Sequence, residues 1–221
     1  QQIKNLERRM SRKGYLEGKM LANTFNMLRA NDLIWSYYVN NYLMGQEPIP
    51  FDILYWNSDS TNLPAKMQSF YLRNMYQKNL LVKTGGISLN GVPVDIKKVT
   101  TPTCFVSTVE DHIAPWKSTY EGATLFDGEV KFILGGSGHI AGIVNPVSKN
   151  KYCYWTNPKL PKTPEQWLEG AKETPGSWWP EWDKWLTSKN KDKVPARKIG
   201  NKEFKAIEDA PGHYVSDPCP D

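Results

Sequence analysis

Two short strand-compatible runs, residues 104–109 (CFVSTV) and 130–134 (VKFIL), constrain the fold most, because residues 117–126 between them have helical spacing. Short runs bounded by turns suit strands buried on both faces, and two such strands joined through a helix pair in parallel. An α/β fold follows. In open α/β sheets, sites form beyond the carboxyl ends of the strands. Asp111 stands just past the first run and His139 just past the second, so both belong to that edge.

His139 lies in GGSGHIAG, residues 135–142, where small residues let the backbone turn sharply and give the imidazole room. A histidine so placed suits a general base near neutral pH. Considered by itself, it is also an ordinary histidine in a glycine-rich turn. Asp111 suits the acid that orients such a histidine, and it equally suits a helix N-cap, with Pro115 opening the next helix. The pair, one strand apart, reads as the last two members of a catalytic triad. His112 leaves the strand in a different direction and is expected to line a pocket. In α/β-hydrolases the order is nucleophile, acid, histidine, so the nucleophile should lie upstream of Asp111. No nucleophile elbow is found there. The nearest imitation, GGSGH at residues 135–139, has His139 in place of the final glycine and no helix after it. The first residue is Gln1, and the sequence is expected to be the C-terminal portion of an α/β-hydrolase fold, with the N-terminal strands and the elbow before residue 1. By itself such a piece should be inactive and poorly folded.

The organisation divides in three. Residues 1–80 read as a mostly helical cap, with Met20, Phe25 and Leu28 at helical intervals. Asn31-Asp32 is expected to cap a second apolar helix that ends at Gly45 to Pro50, and residues 65–78 resume a helical pattern. Residues 81–150 carry a hairpin turning at Asn90-Gly91, its second piece limited to an edge by Pro93, and then the βαβ unit. Residues 151–221 are rich in tryptophan, with helices expected near 164–170 and 180–186, and end in a basic tail. Trp178, Trp179, Trp182 and Trp185 have helical spacing and are expected to pack on the body, a subunit interface or a polymer surface being the other reading. Asp52 and Asp59 flank Tyr55-Trp56. Turn-forming aspartates and pocket residues, with Trp56, are the two readings of that stretch.

Among 221 residues, 39% are hydrophobic, enough for a core. No apolar run reaches the roughly eighteen residues of a membrane span, and the polar start does not resemble a signal peptide, so a cytoplasmic setting is expected. Cys104, Cys153 and Cys219 lack metal spacing and are odd in number, so no disulfide framework is expected. The net charge of +5 is mild, with much of the basic charge between Lys184 and Lys205. A solvated tail and an attraction for anions are both open. No nucleic-acid motif is found. The three histidines are scattered, so neither a metal nor an organic cofactor is expected.

Longer strings are more specific than these spacings. Residues 23–35 (NTFNMLRANDLIW), 38–43 (YVNNYL), 51–64 (FDILYWNSDSTNLP), 110–116 (EDHIAPW), 138–146 (GHIAGIVNP) and 176–180 (GSWWP) resemble, in this order, the catalytic region of polyhydroxyalkanoate synthases. GSWWP with ARKIGN at 196–201 is most similar to the class I type. The resemblance implies a cysteine nucleophile in Gly-x-Cys-x-Gly, activated by the histidine matching His139. It further implies an acyl-enzyme formed from (R)-3-hydroxyacyl-coenzyme A, with coenzyme A entering as part of the substrate. The aspartate matching Asp111 would assist the 3-hydroxyl group or orient the histidine. A growing polyester chain, a polymer granule surface and a second copy of the chain are the partners implied. No nucleophile is expected within these residues. A serine esterase or depolymerase, and a non-catalytic dimerisation or granule-binding module, are the alternatives.

Overall fold

A computed structural model of the chain describes residues 1–28, 30–48 and 59–217. They fall into two compact units, residues 1–78 with 196–221, and residues 79–195.

In the first unit, α1 (Gln2–Lys13) stops at Gly14, whose φ of 82° is open to glycine and lets its N–H reach the Met10 carbonyl at 2.8 Å. Arg12 and Lys13 occupy the last turn, where positive charge complements the helix dipole. The short strand β1 (Tyr15–Leu16) pairs antiparallel with β2 (Leu63–Pro64). Gly18 opens α2 (Gly18–Leu28) and donates to Asn62 Oδ1 at 3.0 Å. A Cβ there would stand 2.7 Å from Ser60, so only glycine permits this approach. The helix α3 (Ala65–Tyr71) continues as wider turns over Leu72–Gln77 and lies against α1. Arg73 clamps Glu7 across that contact, Nε to Oε1 at 2.6 Å and Nη2 to Oε2 at 2.5 Å.

Asn31-Asp32 does not start a new helix. Ala30 before it already has φ −55° and ψ −36°, whereas an N-cap residue leaves the helical region. The chain instead runs through wider turns over Asn31–Trp35 and Tyr38–Leu43, with Tyr38 stacked on Tyr42 at 5.3 Å.

The second unit begins with a hairpin, β3 (Ile87–Leu89) and β4 (Val92–Val94), turning at Asn90-Gly91 with φ values of 49° and 80°. A four-stranded sheet follows in the order β5 (Thr103–Thr108), β6 (Val130–Gly135), β7 (Cys153–Thr156), β8 (Lys172–Pro175). β5 and β6 are parallel and joined through α4 (Trp116–Ala123); the later strands are antiparallel. β7 and β8 are strands in a stretch where the sequence suggested only helices. Between them, Thr163 caps α5 (Pro164–Glu169) by accepting from Gln166 N–H at 3.3 Å. α6 (Trp179–Lys189) closes the unit.

The core gathers Trp116, Tyr120 and Ala123 of α4, Phe132 and Leu134 of β6, and Trp167 of α5. Trp167 has no exposed surface and meets Phe132 edge-on at 5.1 Å. Truncating it to alanine should cost about 3–5 kcal/mol. Tyr120 is equally buried, and its hydroxyl donates to the Pro161 carbonyl at 2.6 Å, which keeps its polar end satisfied. This packing fixes β6, and with it the loop that carries His139.

Candidate functional site

β5 and β6 run in register from Thr103 beside Val130 to Thr108 beside Gly135, so they release their loops side by side. Two backbone bonds continue the pairing past the strand ends: Val109 N–H to the Gly135 carbonyl at 2.9 Å and Glu110 N–H to the Ser137 carbonyl at 3.0 Å. Asp111 and His139 are thereby brought together. His139 Nδ1 lies 2.8 Å from Asp111 Oδ2, and Asp111 Oδ1 accepts from the N–H groups of Ile113 and Ala114 at 2.8 and 2.9 Å. Ser137 turns the chain toward this contact with a φ of 71°.

The Asp111 side chain is nearly buried, at 8% exposure, while that of His139 is 46% exposed. Burial disfavours the Asp111 charge, but the Ala114 N–H, His139 and the Ile113 N–H outweigh it and hold the carboxyl below its ordinary value. The group is therefore ionised at neutral pH and can only accept, which assigns the shared proton to His139 Nδ1. In the neutral imidazole Nε2 then carries the lone pair. Such a pair can take a proton from a group at Nε2 while the carboxylate stabilises the resulting imidazolium.

The other expected positions are distributed differently. His112 is exposed and takes no part in the pair's hydrogen bonds. Asp59 accepts from the Ser60 N–H at 2.8 Å, a turn-like contact in the first unit. Asp52 and Trp56 lie outside the described residues, as does Cys219. Burial pushes the Cys104 thiol up to about 11, with Lys131 opposing and Glu181 adding to the shift. The Cys153 thiol is raised as well, by burial and then by Glu173. Neither has the depressed pKa of an activated nucleophile. Among the described residues, no three His, Cys, Asp or Glu side chains converge as a metal site, and no helix is long and apolar enough to cross a membrane. A cavity of about 770 Å³ lies in the first unit, lined by Glu7, Met10, Pro64, Ala65 and Phe70 among others.

Two residues met the loop unforeseen. Trp178 Nε1 donates to the carbonyls of Gly142 and Ile143 at 3.1 and 3.2 Å, and Trp179 Nε1 donates to Ile143 at 3.0 Å. Helical spacing suggested packing for these indoles; it carries no information about which carbonyls their N–H groups reach.

A family model for the alpha/beta hydrolase fold matches residues 10–146. The chain is 54% identical over 214 residues to the poly(3-hydroxyalkanoate) polymerase subunit PhaC of Rhizobium meliloti, covering 97% of this chain and 35% of the relative. It is 50% identical to the protein of that name from Cupriavidus necator, over 90% of this chain and 34% of the relative. The poly(3-hydroxyalkanoate) polymerase of Methylorubrum extorquens is 51% identical over 97% of this chain and 35% of its own length. The chain thus spans about 35% of the length of the relatives it matches. With more than half of its residues matched to the family model, and with a parallel β5-β6 pair that delivers Asp111 and His139 to one edge, the chain belongs to the alpha/beta hydrolase fold family.

Proposed function

We propose that this chain supplies the acid and the histidine of a Cys-His-Asp triad that polymerises (R)-3-hydroxyacyl-coenzyme A, chiefly the 3-hydroxybutyryl thioester, into polyester. The supporting observation is the 2.8 Å contact of His139 with Asp111 past adjacent parallel strands, in a sequence 54% identical to a poly(3-hydroxyalkanoate) polymerase. The nucleophilic cysteine is assigned to a segment outside these residues.

In this reading His139 Nε2 takes the proton of the cysteine thiol, the resulting thiolate attacks the thioester carbonyl, the bond to the coenzyme A sulfur breaks, and that sulfur takes the proton back from Nε2. The product is an acyl-enzyme thioester. In elongation a 3-hydroxyl group attacks the thioester, His139 takes the hydroxyl proton, and the cysteine sulfur leaves as an ester bond forms. A thiolate suits both steps because it attacks and departs readily. Asp111 holds the imidazole in the tautomer that accepts at Nε2. Coenzyme A comes and goes with the substrate, and no resident cofactor is proposed. A cytoplasmic location, pairing with a second copy and attachment to the polymer granule follow from the same resemblance.

The test is His139→Ala in protein expressed from the complete reading frame that encodes this sequence, assayed for coenzyme A release from 3-hydroxybutyryl-coenzyme A and for polymer. Loss of both is expected. Retained polymer formation would remove His139 from the triad, and free 3-hydroxybutyrate without polymer in the wild type would assign hydrolysis of the thioester instead.

A further inference from the structure

We propose that Trp178 and Trp179 are positioning residues for His139, acting through the carbonyls of the loop that bears it; the catalytic consequence, though not the geometry, rests on the function proposed above. His139 sits on a stretch with glycines at positions 135, 136, 138 and 142, where little in the side chains restricts the backbone. Asp111 holds the ring from one side only. The loop is closed by turns from Gly142 N–H to the Gly138 carbonyl at 2.9 Å and from Val144 N–H to the Ile140 carbonyl at 2.8 Å. Those turns leave the carbonyls of Gly142 and Ile143 pointing at the two indoles, which supply three hydrogen bonds of 3.0–3.2 Å. An indole N–H is a donor only, and here each finds its acceptors on the histidine loop.

The clamp is itself anchored. Gly176, with a φ of 91°, donates to the Tyr152 carbonyl at 2.9 Å, and buried Ser177 accepts from the Trp179 N–H at 3.2 Å. On α6, Glu181 pairs with Lys131 of β6, and Lys189 meets Glu129 at 2.5 and 2.6 Å. Both ends of the helix are therefore tied to the start of the strand that launches the histidine loop. Catalytic groups held by such a supporting layer lose rate when it loosens, because small displacements of the base are costly.

The experiment replaces both tryptophans by phenylalanine, removing the N–H groups and keeping the rings, in protein from the complete reading frame. Histidine is labelled with nitrogen-15, and the His139 signals are identified by their loss in His139→Ala. The expected result is a folded variant in which His139 loses its preference for the Nδ1–H tautomer and changes its pH titration, while kcat falls roughly 10- to 100-fold and KM holds. Trp185→Phe on the same helix, whose Nε1 has no partner among the described residues, should leave the His139 signals unchanged. A folded double variant with wild-type tautomer, titration and kcat would overturn the proposal, even if its melting temperature drops. Should the double variant unfold, Trp179→Phe, which removes one of the three bonds, is judged by the same signals. If the wild type makes no polymer, the polymerase reading fails while the imidazole signals still decide the clamp.

Discussion

Asp111 divides its two oxygens between tasks: Oδ2 meets His139 Nδ1 at 2.8 Å, while Oδ1 is fixed by the N–H groups of Ile113 and Ala114. Asp111→Asn keeps the shape and one acceptor. If the amide oxygen stays on the two N–H groups, its nitrogen faces Nδ1 as a donor, and the imidazole must switch to the tautomer with its proton on Nε2. By analogy with the same change in other triads, turnover should fall on the order of 10³- to 10⁴-fold with little loss of stability. The check is coenzyme A release measured beside a thermal melt, and an unchanged rate would remove Asp111 from the mechanism.

In the first unit, hydrogen bonds from Arg73 and then Ser69 lower the Glu7 carboxyl from 4.5 to about 2. A carboxyl with a depressed folded value adds stability that is present above its unfolded pKa and is lost as pH falls through the folded one. The relevant window is thus between pH 4.5 and about 2. Glu7→Gln should lower the melting temperature at neutral pH and flatten its dependence on pH within that window. Parallel curves for wild type and variant down to pH 2 would contradict the assignment.

The residues that revealed most from sequence were those whose signal is local. Residues 104–109 and 130–134 are bounded by turns and joined by helical spacing, so β5, α4 and β6 could be placed, and Asp111 and His139 with them. Asn90-Gly91 identified its hairpin because two successive positive φ angles are hard for most residues. β7 and β8 escaped notice because Cys153–Thr156 and Lys172–Pro175 are four residues long, with little alternation to distinguish them from loop. Asn31-Asp32 misled because a capping residue type cannot reveal that the preceding residue is already helical. The contact of Trp178 and Trp179 with the histidine loop spans about 36 positions, and no spacing rule reaches that far.

Cys104 faces Lys131 across the β5-β6 ladder, and burial keeps its thiol protonated with a pKa of about 11. Reactivity follows the thiolate, so Cys104 should resist iodoacetamide at neutral pH and become modified only under denaturing conditions. Cys104→Ala should leave polymer synthesis intact and cost stability through the small cavity it creates. Peptide mass spectrometry after timed labelling checks the first statement. Fast labelling of Cys104 in folded protein would show that the thiol is not confined as described.

Gly138 and Gly142 flank His139 on the same loop and should respond in opposite ways to alanine. A Cβ at Gly138 meets nothing within 4 Å, and its φ is not in the left-handed region. Gly138→Ala should therefore be tolerated, or stabilise by about 0.4–1 kcal/mol through the unfolded chain. At Gly142 a Cβ would stand 2.5 Å from the Gly136 carbonyl, 2.5 Å from Thr108 Cγ2 and 2.8 Å from the Gly138 carbonyl. Two of those three neighbours are backbone and cannot rotate aside. Gly142→Ala should then lift the loop off the end of β5, costing about 1–3 kcal/mol as overpacking does and displacing His139 from Asp111. Melting temperatures of the two variants, read beside the His139 nitrogen signals, test the contrast. Equal behaviour of the two alanines would mean that the seat of the histidine loop is not set by the close approach of Gly142 to Thr108.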